Sequence, residues 1–506
     1  MPRIEPHRPP PGPAIIANVC AELGHQVQVF DLNIEFFHFC QCHQIDYYSF
    51  DPVWDRVTGP KDHCYDHLQR FIDHWCFKLE SMDFDYVMVS VFGISGTVFT
   101  DLFLQSLRPR IQSKIIGGGM GIASTNLVDA EKCFGQSLKE RDLLDLYITG
   151  EGEKILVDAL RGQQGPGINN NLPHQISDLD TLPIPDYGFF DLDRYDYLTK
   201  GEKEVYITGS RGCVRRCTYC DIERYWPKYR YRNGQSIADE IVQNYEKFGI
   251  TKFYFTDSLV NGSLKAFADM CDKLANYTFD RPISWSGQFI FRDRKSVPRD
   301  HFATIKAAGG YQFFVGIETG SDRVRFDMGK KFTNEDIDFQ LEECSRHGIK
   351  IMPLMFTGYI TETIQDHLDN LDCFRRWQKY VADGTIFGVE LGSNLLILPG
   401  APVERMIESH GIRFMLDSNH EPSLSLWHAD SNPDLTIRER IRRKIEVHET
   451  AIKYAWPVWR QHSRLRDLKN LILQNQLHVN PNPNLYSLDR DPNSVKKIVM
   501  ISNIGH

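Results

Sequence analysis

Histidine is absent between His174 and His301, and Cys271 is the one cysteine between Cys220 and Cys344. Those gaps surround a crowded run, Cys213-Val-Arg-Arg-Cys217-Thr-Tyr-Cys220, and leave it without the local fourth ligand that a closed structural zinc site requires. No apolar stretch reaches the roughly 18 residues of a membrane span, and the start, Met1-Pro-Arg-Ile-Glu-Pro-His, has no apolar signal core. The expectation is a soluble, cytoplasmic protein without a transmembrane segment. Basic excess is also missing: 58 Lys and Arg stand against 67 Asp and Glu, a net charge of -9, which argues against a dedicated nucleic-acid binder, so no DNA partner is expected. The 12 cysteines lack the paired, regular spacing of a secreted disulfide scaffold. There is no internal repeat and no low-complexity tract.

Three sulfurs on one tight loop supply three corners of a metal site and leave the fourth open, an arrangement that suits chemistry better than structure. Thiolates are soft ligands for iron-sulfur clusters as well as zinc, and a cubane held by three of them keeps one iron free for a small molecule. The plainer alternatives are a zinc knuckle completed by a distant ligand, or three unrelated buried thiols. Gly212 permits the torsions of a tight loop. Arg211, Arg215 and Arg216 either offset a negative cluster and steer an anion, or form a solvated basic face.

The chain reads as mixed α/β. Helical spacing from Ala14 closes at Gly24-His, and residues 27–32 read as a strand. The apolar run Phe84-Asp-Tyr-Val-Met-Val-Ser-Val-Phe-Gly, then Ser113-Lys-Ile-Ile-Gly-Gly-Gly-Met-Gly, then Leu146-Tyr-Ile-Thr-Gly-Glu-Gly-Glu, read as buried parallel strands ending in glycines, before a helix near residues 154–160. This predicts a doubly wound, Rossmann-like domain over 1–165 with its crevice at the strand ends. Prolines in Leu182-Pro-Ile-Pro-Asp-Tyr mark a linker over 166–200.

From 201 to 411 six strands near 204–209, 252–257, 284–290, 312–318, 350–357 and 388–398 alternate with helices, one of them with Ser236 as its cap, predicting a partial (β/α)6 TIM-type barrel. Asp257 ends the second strand, where the plain reading is a helix cap. Glu318 ends the fourth, Phe313-Phe-Val-Gly-Ile-Glu-Thr-Gly-Ser321, and is costly to bury without partners; a structural salt bridge is one answer, a ligand's hydroxyls another. Residues 412–506 read as mainly helical. They include a basic stretch with Arg438, Arg440, Arg442, Arg443 and Lys444, read as a solvated helix packed on the barrel rather than a membrane or RNA surface, then a helix to Leu473 and a loop at Asn480-Pro-Asn-Pro-Asn.

The C-x3-C-x2-C run with its continuation Cys-Asp-Ile, the Gly-Ile-Glu-Thr-Gly-Ser strand end, Lys330-Lys-Phe-Thr and Leu396-Ile-Leu-Pro-Gly resemble the radical S-adenosylmethionine (SAM) superfamily. The proline-rich start, the glycines at 117 to 119, Gly150-Glu-Gly-Glu153 and the Leu-Pro-x-Pro-Asp-Tyr linker resemble its class with an N-terminal cobalamin-binding domain. That resemblance implies a 4Fe-4S cluster on Cys213, Cys217 and Cys220 whose open iron chelates SAM. One electron then yields a 5'-deoxyadenosyl radical that takes hydrogen from an unactivated carbon. It further implies Tyr219 against adenine, Asp257 at the SAM amino group, Glu318 at the ribose, and cobalamin near Gly117, Gly118, Gly119, Gly150, Glu151 and Gly152.

The implied function is a cobalamin-dependent C-methyltransferase acting on a small molecule or peptide, served by an external electron donor such as flavodoxin or ferredoxin. A cobalamin-free radical SAM enzyme doing cyclisation, rearrangement or oxidation is the alternative, and a non-catalytic iron-sulfur protein a third. Three departures from the class stand out: the sequence has no D-x-H-x-x-G, no apolar strand before Pro9, and Tyr359-Ile-Thr where the class has a Gly-x-Pro-Gly-Glu-Thr turn.

Overall fold

The computed structural model describes residues 7–47, 62–93, 96–124, 132–198, 201–416 and 422–459. They divide into two compact units, residues up to 206 together with 248–250, and residues 207–247 together with those from 251 onward.

In the first unit the proline run starts helix Pro11–Glu22, whose Ala14, Ile15, Ala17, Val19 and Cys20 are buried; proline at the first helical position loses no helical hydrogen bond. The strand expected at 27–32 does not form. Asp31 instead caps helix Leu32–Cys42, its carboxylate accepting from Asn33 N at 3.0 Å, and its other oxygen takes the Tyr195 hydroxyl at 2.9 Å. The apolar residues after Asp31 have helical, not alternating, spacing, and Ile34, Phe36, Phe37 and Cys40 all go inward.

Strands β1 (Tyr86–Ser90), β2 (Lys114–Gly118) and β3 (Leu146–Tyr147) form a parallel sheet in that order. Helices Thr97–Leu107 and Phe134–Glu140 connect them, and Gly152–Leu160 follows. Phe71, Trp75, Phe103 and Leu104 share a core with Ile115 and Leu144. This is the expected strand-helix alternation.

A second sheet begins with β4 (Glu204–Ile207). Two short strands, β5 (Ser210–Arg211) and β6 (Arg230–Tyr231), pair antiparallel beside it. Then β7 (Lys252–Phe255), β8 (Ser284–Phe289), β9 (Gly310–Glu318), β10 (Lys350–Thr357) and β11 (Glu390–Asn394) follow, separated by helices. The six long strands lie in sequence order, β4-β7-β8-β9-β10-β11, with parallel pairing throughout β7 to β11. That is the open, six-stranded α/β barrel the periodicity predicted. Trp285, Phe289 and Phe313 interlock on the sheet face covered by the helices, with centroids 4.9 and 5.3 Å apart, and Phe267 of helix Leu264–Asn276 packs against the first two. One cap differs from expectation: the helix after β6 is Gly234–Phe248, and Asn233 Oδ1, accepting from Ser236 N at 2.8 Å, does the capping assigned to Ser236.

The C-terminal region is less helical than its composition suggested. Strands β12 (Ile412–Leu416) and β13 (Pro422–Ala429) form an antiparallel hairpin, with Arg413 opposite His428 and Phe414 opposite Trp427. Helix Ile437–Lys453 then carries the basic run and packs on the barrel as expected, but it is only partly solvated: Arg438 is exposed, whereas Arg440, Arg443 and Lys444 are buried. Arg440 lies 3.8 Å over the Trp427 ring and donates to Trp427 O, and burial lowers its pKa to about 9. The helix to Leu473 and the loop at Asn480 lie outside the described residues. Among those described, no helix is long and apolar enough to cross a membrane.

Candidate active site

The cysteine loop leaves the barrel after β4 and turns at Gly212, whose φ is +87° and where a Cβ would come within 2.8 Å of Lys228 O. A residue with a side chain would meet both strain and collision there. Cys213, Cys217 and Cys220 are all half-buried. Burial raises each thiol pKa, that of Cys220 to about 12. Against burial, Arg215 N donates to Cys213 Sγ at 3.4 Å, and the Lys330 ammonium favours the thiolates of Cys213 and Cys217. Among the described residues, no three His, Cys, Asp or Glu side chains are gathered as one ion requires. Thiolates that each hold a different iron of a cluster need no such gathering.

Thr218 pins the loop to the barrel. Its N–H donates to Met328 O at 3.0 Å, its carbonyl accepts from Val403 N at 2.6 Å, and its hydroxyl meets Tyr359 OH at 2.8 Å. Tyr359, which departs from the class turn, thereby becomes a loop anchor; its hydroxyl also donates to Asp327 O at 3.1 Å.

Next along the loop, Tyr219 OH donates to Glu318 Oε1 at 2.7 Å, and its ring sits edge-on to Phe356 at 5.0 Å. Glu318 ends β9 with φ at +69°, a left-handed conformation uncommon for a residue with a side chain. Lys330 Nζ lies 2.8 Å from the same Oε1 and donates to Gly316 O at 2.7 Å. Burial opposes the Lys330 charge, but Glu318 and Cys217 outweigh it and its pKa is raised. A Cβ on Gly316 would fall 2.3 Å from Glu318 Oε1 and 2.7 Å from Lys330 Nζ, so glycine makes the room for this pair. Both partners use Oε1, which leaves Oε2 without a partner among the described residues. Glu318 therefore has its structural salt bridge and a free oxygen as well.

Asp257 is bonded to other groups. Its Oδ2 accepts from Gly209 N at 2.9 Å and its Oδ1 from Ser210 Oγ at 2.5 Å, and burial pushes its pKa up to about 7. It braces the chain entering the cysteine loop, and no bond joins it to Tyr219 or Glu318. Nor does it cap the next helix: Ser263 does that, accepting from Ala266 N at 3.3 Å.

In the first unit most of the candidate glycines are accounted for by packing. A Cβ would lie 2.8 Å from Leu144 at Gly117, 2.5 Å from Val91 O at Gly119 and 2.3 Å from His174 O at Gly150. Gly118 faces open space, and Gly152 meets only Ile148 at 3.5 Å and Ile16 at 3.9 Å. Glu151 is buried, its Oε2 accepting from Ile176 N at 2.6 Å. Its carboxylate holds the protein's own backbone.

Lys330 had a sequence signal, the Lys-Lys-Phe-Thr run, but no role in the reading of it.

Residues 207–372 match the model of the Radical SAM superfamily, so the barrel is a radical SAM domain. The chain is 22% identical over 279 residues to the anaerobic magnesium-protoporphyrin IX monomethyl ester cyclase of Rubrivivax gelatinosus, covering 50% of this chain and 49% of that one. It thus spans about half the length of such curated relatives. Its fold is similar to that of the radical SAM methyltransferase TsrM from Kitasatospora setae, solved with tryptophan and a SAM analogue. There the TM-score is 0.62, with 15% identity, over 92% of this chain and 96% of that one. The cobalamin-dependent radical SAM enzyme OxsB, with aqua-cobalamin bound, gives a TM-score of 0.55 and 16% identity over 81% of this chain and 65% of that one.

Proposed function

We propose that this chain is a cobalamin-dependent radical SAM enzyme that transfers a methyl group to an unactivated carbon. The observation that carries the radical SAM part is the set Tyr219, Glu318 and Lys330, packed against the loop of Cys213, Cys217 and Cys220. When bound, a 4Fe-4S cluster with SAM supplies one-electron cleavage to a 5'-deoxyadenosyl radical. The residues do the holding: three thiolates for the cluster, Glu318 Oε2 as acceptor for the ribose hydroxyls, and the Tyr219 ring, edged by Phe356, for adenine. Lys330, 2.8 Å from Glu318 Oε1, fixes the carboxylate so that Oε2 stays turned away from the salt bridge as an acceptor. Asp257 acts one step back, by fixing Gly209 and Ser210 ahead of the loop.

Methyl transfer rests on likeness to enzymes whose solved structures name methyltransfer or cobalamin and on Gly118, the open position at the C-terminal end of β2. The packing roles of Gly117, Gly119, Gly150 and Glu151 favour a second reading, a cobalamin-free radical SAM enzyme of the cyclising or oxidising kind. An external one-electron donor such as flavodoxin or ferredoxin serves either reading.

The test is anaerobic reconstitution followed by dithionite and SAM. A brown protein with iron-sulfur absorption that yields 5'-deoxyadenosine is the expected result, and cluster loss on joint replacement of the three cysteines by alanine completes it. Full cluster binding in that triple variant would sink the assignment. Hydroxocobalamin retained stoichiometrically through gel filtration supports the methyltransferase; none retained by a folded sample moves the reading to the cobalamin-free enzyme.

A further inference from the structure

Strand β1 is the outer strand of the first sheet. Lys114 N donates to Asp85 O at 3.0 Å and Val91 N to Gly118 O at 2.9 Å, so the odd-numbered residues of β1 bond to β2. The N–H and C=O groups of Tyr86, Met88 and Ser90 alternate to the other side, where no strand pairs with them among the described residues. Tyr86 and Met88 are 38% and 37% exposed, although strands of parallel sheets are ordinarily covered on both faces. The far edge of the same sheet is closed: Thr149 N donates to Gly167 O and Asn169 N to Tyr147 O, both at 2.9 Å.

Residues 26–30 reach both faces of this sheet. Val27 packs against the cluster of Ile116 and Ile155, and Phe30 against that of Trp75 and Ile115. Yet no backbone hydrogen bond joins residues 26–30 to β1 among the described residues. Packing like that of a strand, without its pairing, is what an empty lane beside β1 leaves.

The chain carries a segment that matches this lane. Lys497-Ile-Val-Met-Ile-Ser502, outside the described residues, repeats the pattern of Asp85-Tyr-Val-Met-Val-Ser90: one charge, four apolar residues, then serine. Its β-branched, apolar run reads as a strand. Lys496 and Lys497 stand at its start, where β1 has the exposed Asp83 and Asp85. Parallel neighbours set like ends side by side, so Lys497 beside Asp85 puts Met500 beside Met88 and Ser502 beside Ser90. Opposite charges at adjacent positions favour that register. Residues 460–494 form the tether, and a chain of that length spans roughly 120 Å when extended, so reach sets no limit.

We propose that residues 496–502 add to the free side of β1 as a parallel strand and complete the sheet of the first unit. The segment then takes the outward backbone groups of Tyr86, Met88 and Ser90 and covers their exposed side chains. It ends beside Ser90, at the edge where an open α/β sheet keeps its ligand crevice. The proposal does not depend on the radical SAM reading.

The test is hydrogen exchange read by mass spectrometry, comparing the whole chain with one that stops at Asn493. Peptides covering residues 84–92 are expected to be protected in the whole chain and to lose protection in the shortened one, while those of β8 to β10 keep theirs. Lys496→Glu with Lys497→Glu, in the whole chain, is expected to speed exchange in the same peptides, because four acids then meet at one end of the two strands. Adding Asp83→Lys and Asp85→Lys to it is expected to restore protection.

Equal protection of residues 84–92 in both chains, or none in the whole chain, overturns the proposal. Equal protection that falls on dilution, with a dimer in light scattering, assigns the edge to a second copy; equal protection in a monomer assigns it to another segment of the chain. If the shortened chain does not fold, the charge variants decide alone. Exchange unchanged in Lys496→Glu with Lys497→Glu, or not slowed again by the two Asp→Lys changes, overturns the pairing.

Discussion

Arg443 Nη1 lies 3.0 Å from Glu362 Oε1, and the two side chains are 4% and 2% exposed. The same nitrogen donates to Thr363 O at 3.0 Å, while Glu362 Oε2 accepts from Gly358 N at 2.9 Å. Gly358, with φ at +76°, would place a Cβ 2.7 Å from Arg440 Cδ. Helix Ile437–Lys453, which lies beyond the matched residues 207–372, thus shapes the turn after β10. Tyr359 in that turn anchors the cysteine loop through Thr218.

Arg443→Ala is therefore expected to destabilise the protein by about 3–5 kcal/mol, because it leaves Glu362 buried and unpaired. Chemical denaturation checks the size. Adding Glu362→Gln to it is expected to recover part of the loss, and additive losses would contradict the pairing.

Glu318→Gln keeps the shape of the strand end but removes the charge that Lys330 and Tyr219 share. SAM affinity is expected to fall by about 1.5–3 kcal/mol, roughly tenfold to a hundredfold. Equilibrium dialysis against SAM measures it, and unchanged affinity would move the ribose contact elsewhere.

Burial raises the Asp257 pKa to about 7 from an ordinary value near 3.8. The folded state then holds a proton that the unfolded state has released, so this group's contribution to stability falls as pH rises from about 4 to about 7, and is flat above that. Asp257→Asn is expected to remove this slope. Melting curves of both proteins across pH 4 to 8 show it as a gap that shifts in favour of the variant as pH rises; a gap constant with pH would refute it.

Gly119→Ala and Gly118→Val separate packing from ligand binding in the first unit. Gly119→Ala meets Val91 O at 2.5 Å and is expected to lower the melting temperature, whereas Gly118→Val enters open space and is expected to leave it nearly unchanged. If cobalamin approaches at that position, Gly118→Val loses hydroxocobalamin in gel filtration while remaining folded. Retention at full stoichiometry would move the corrinoid away from Gly118.

Much of this architecture could be read along the chain. Six apolar runs ended where strands end, near residues 207, 255, 289, 318, 357 and 394, because alternation and run length are local properties of a strand. The three cysteines announced their loop by spacing alone, and the glutamate ending an apolar run announced a site that needs partners. Residues 27–32 misled for an equally local reason: valines and a phenylalanine look like a strand until Asp31 captures the next helix.

What the sequence determined by itself was therefore the order of the six barrel strands and the spacing of the three cysteines. What only the tertiary structure decided was which charges are partners. Arg443 finds Glu362 from 81 positions away, and Tyr219 finds Glu318 from 99. A basic run on a helix reads as a solvated face until a buried acid and a tryptophan ring turn up opposite it. Gly316 shows why such pairing escapes a linear reading: its missing side chain matters only once Lys330 and Glu318 fold into the space it leaves. Electrostatic partners are chosen by distance in space, and distance in space is set by packing of the whole barrel.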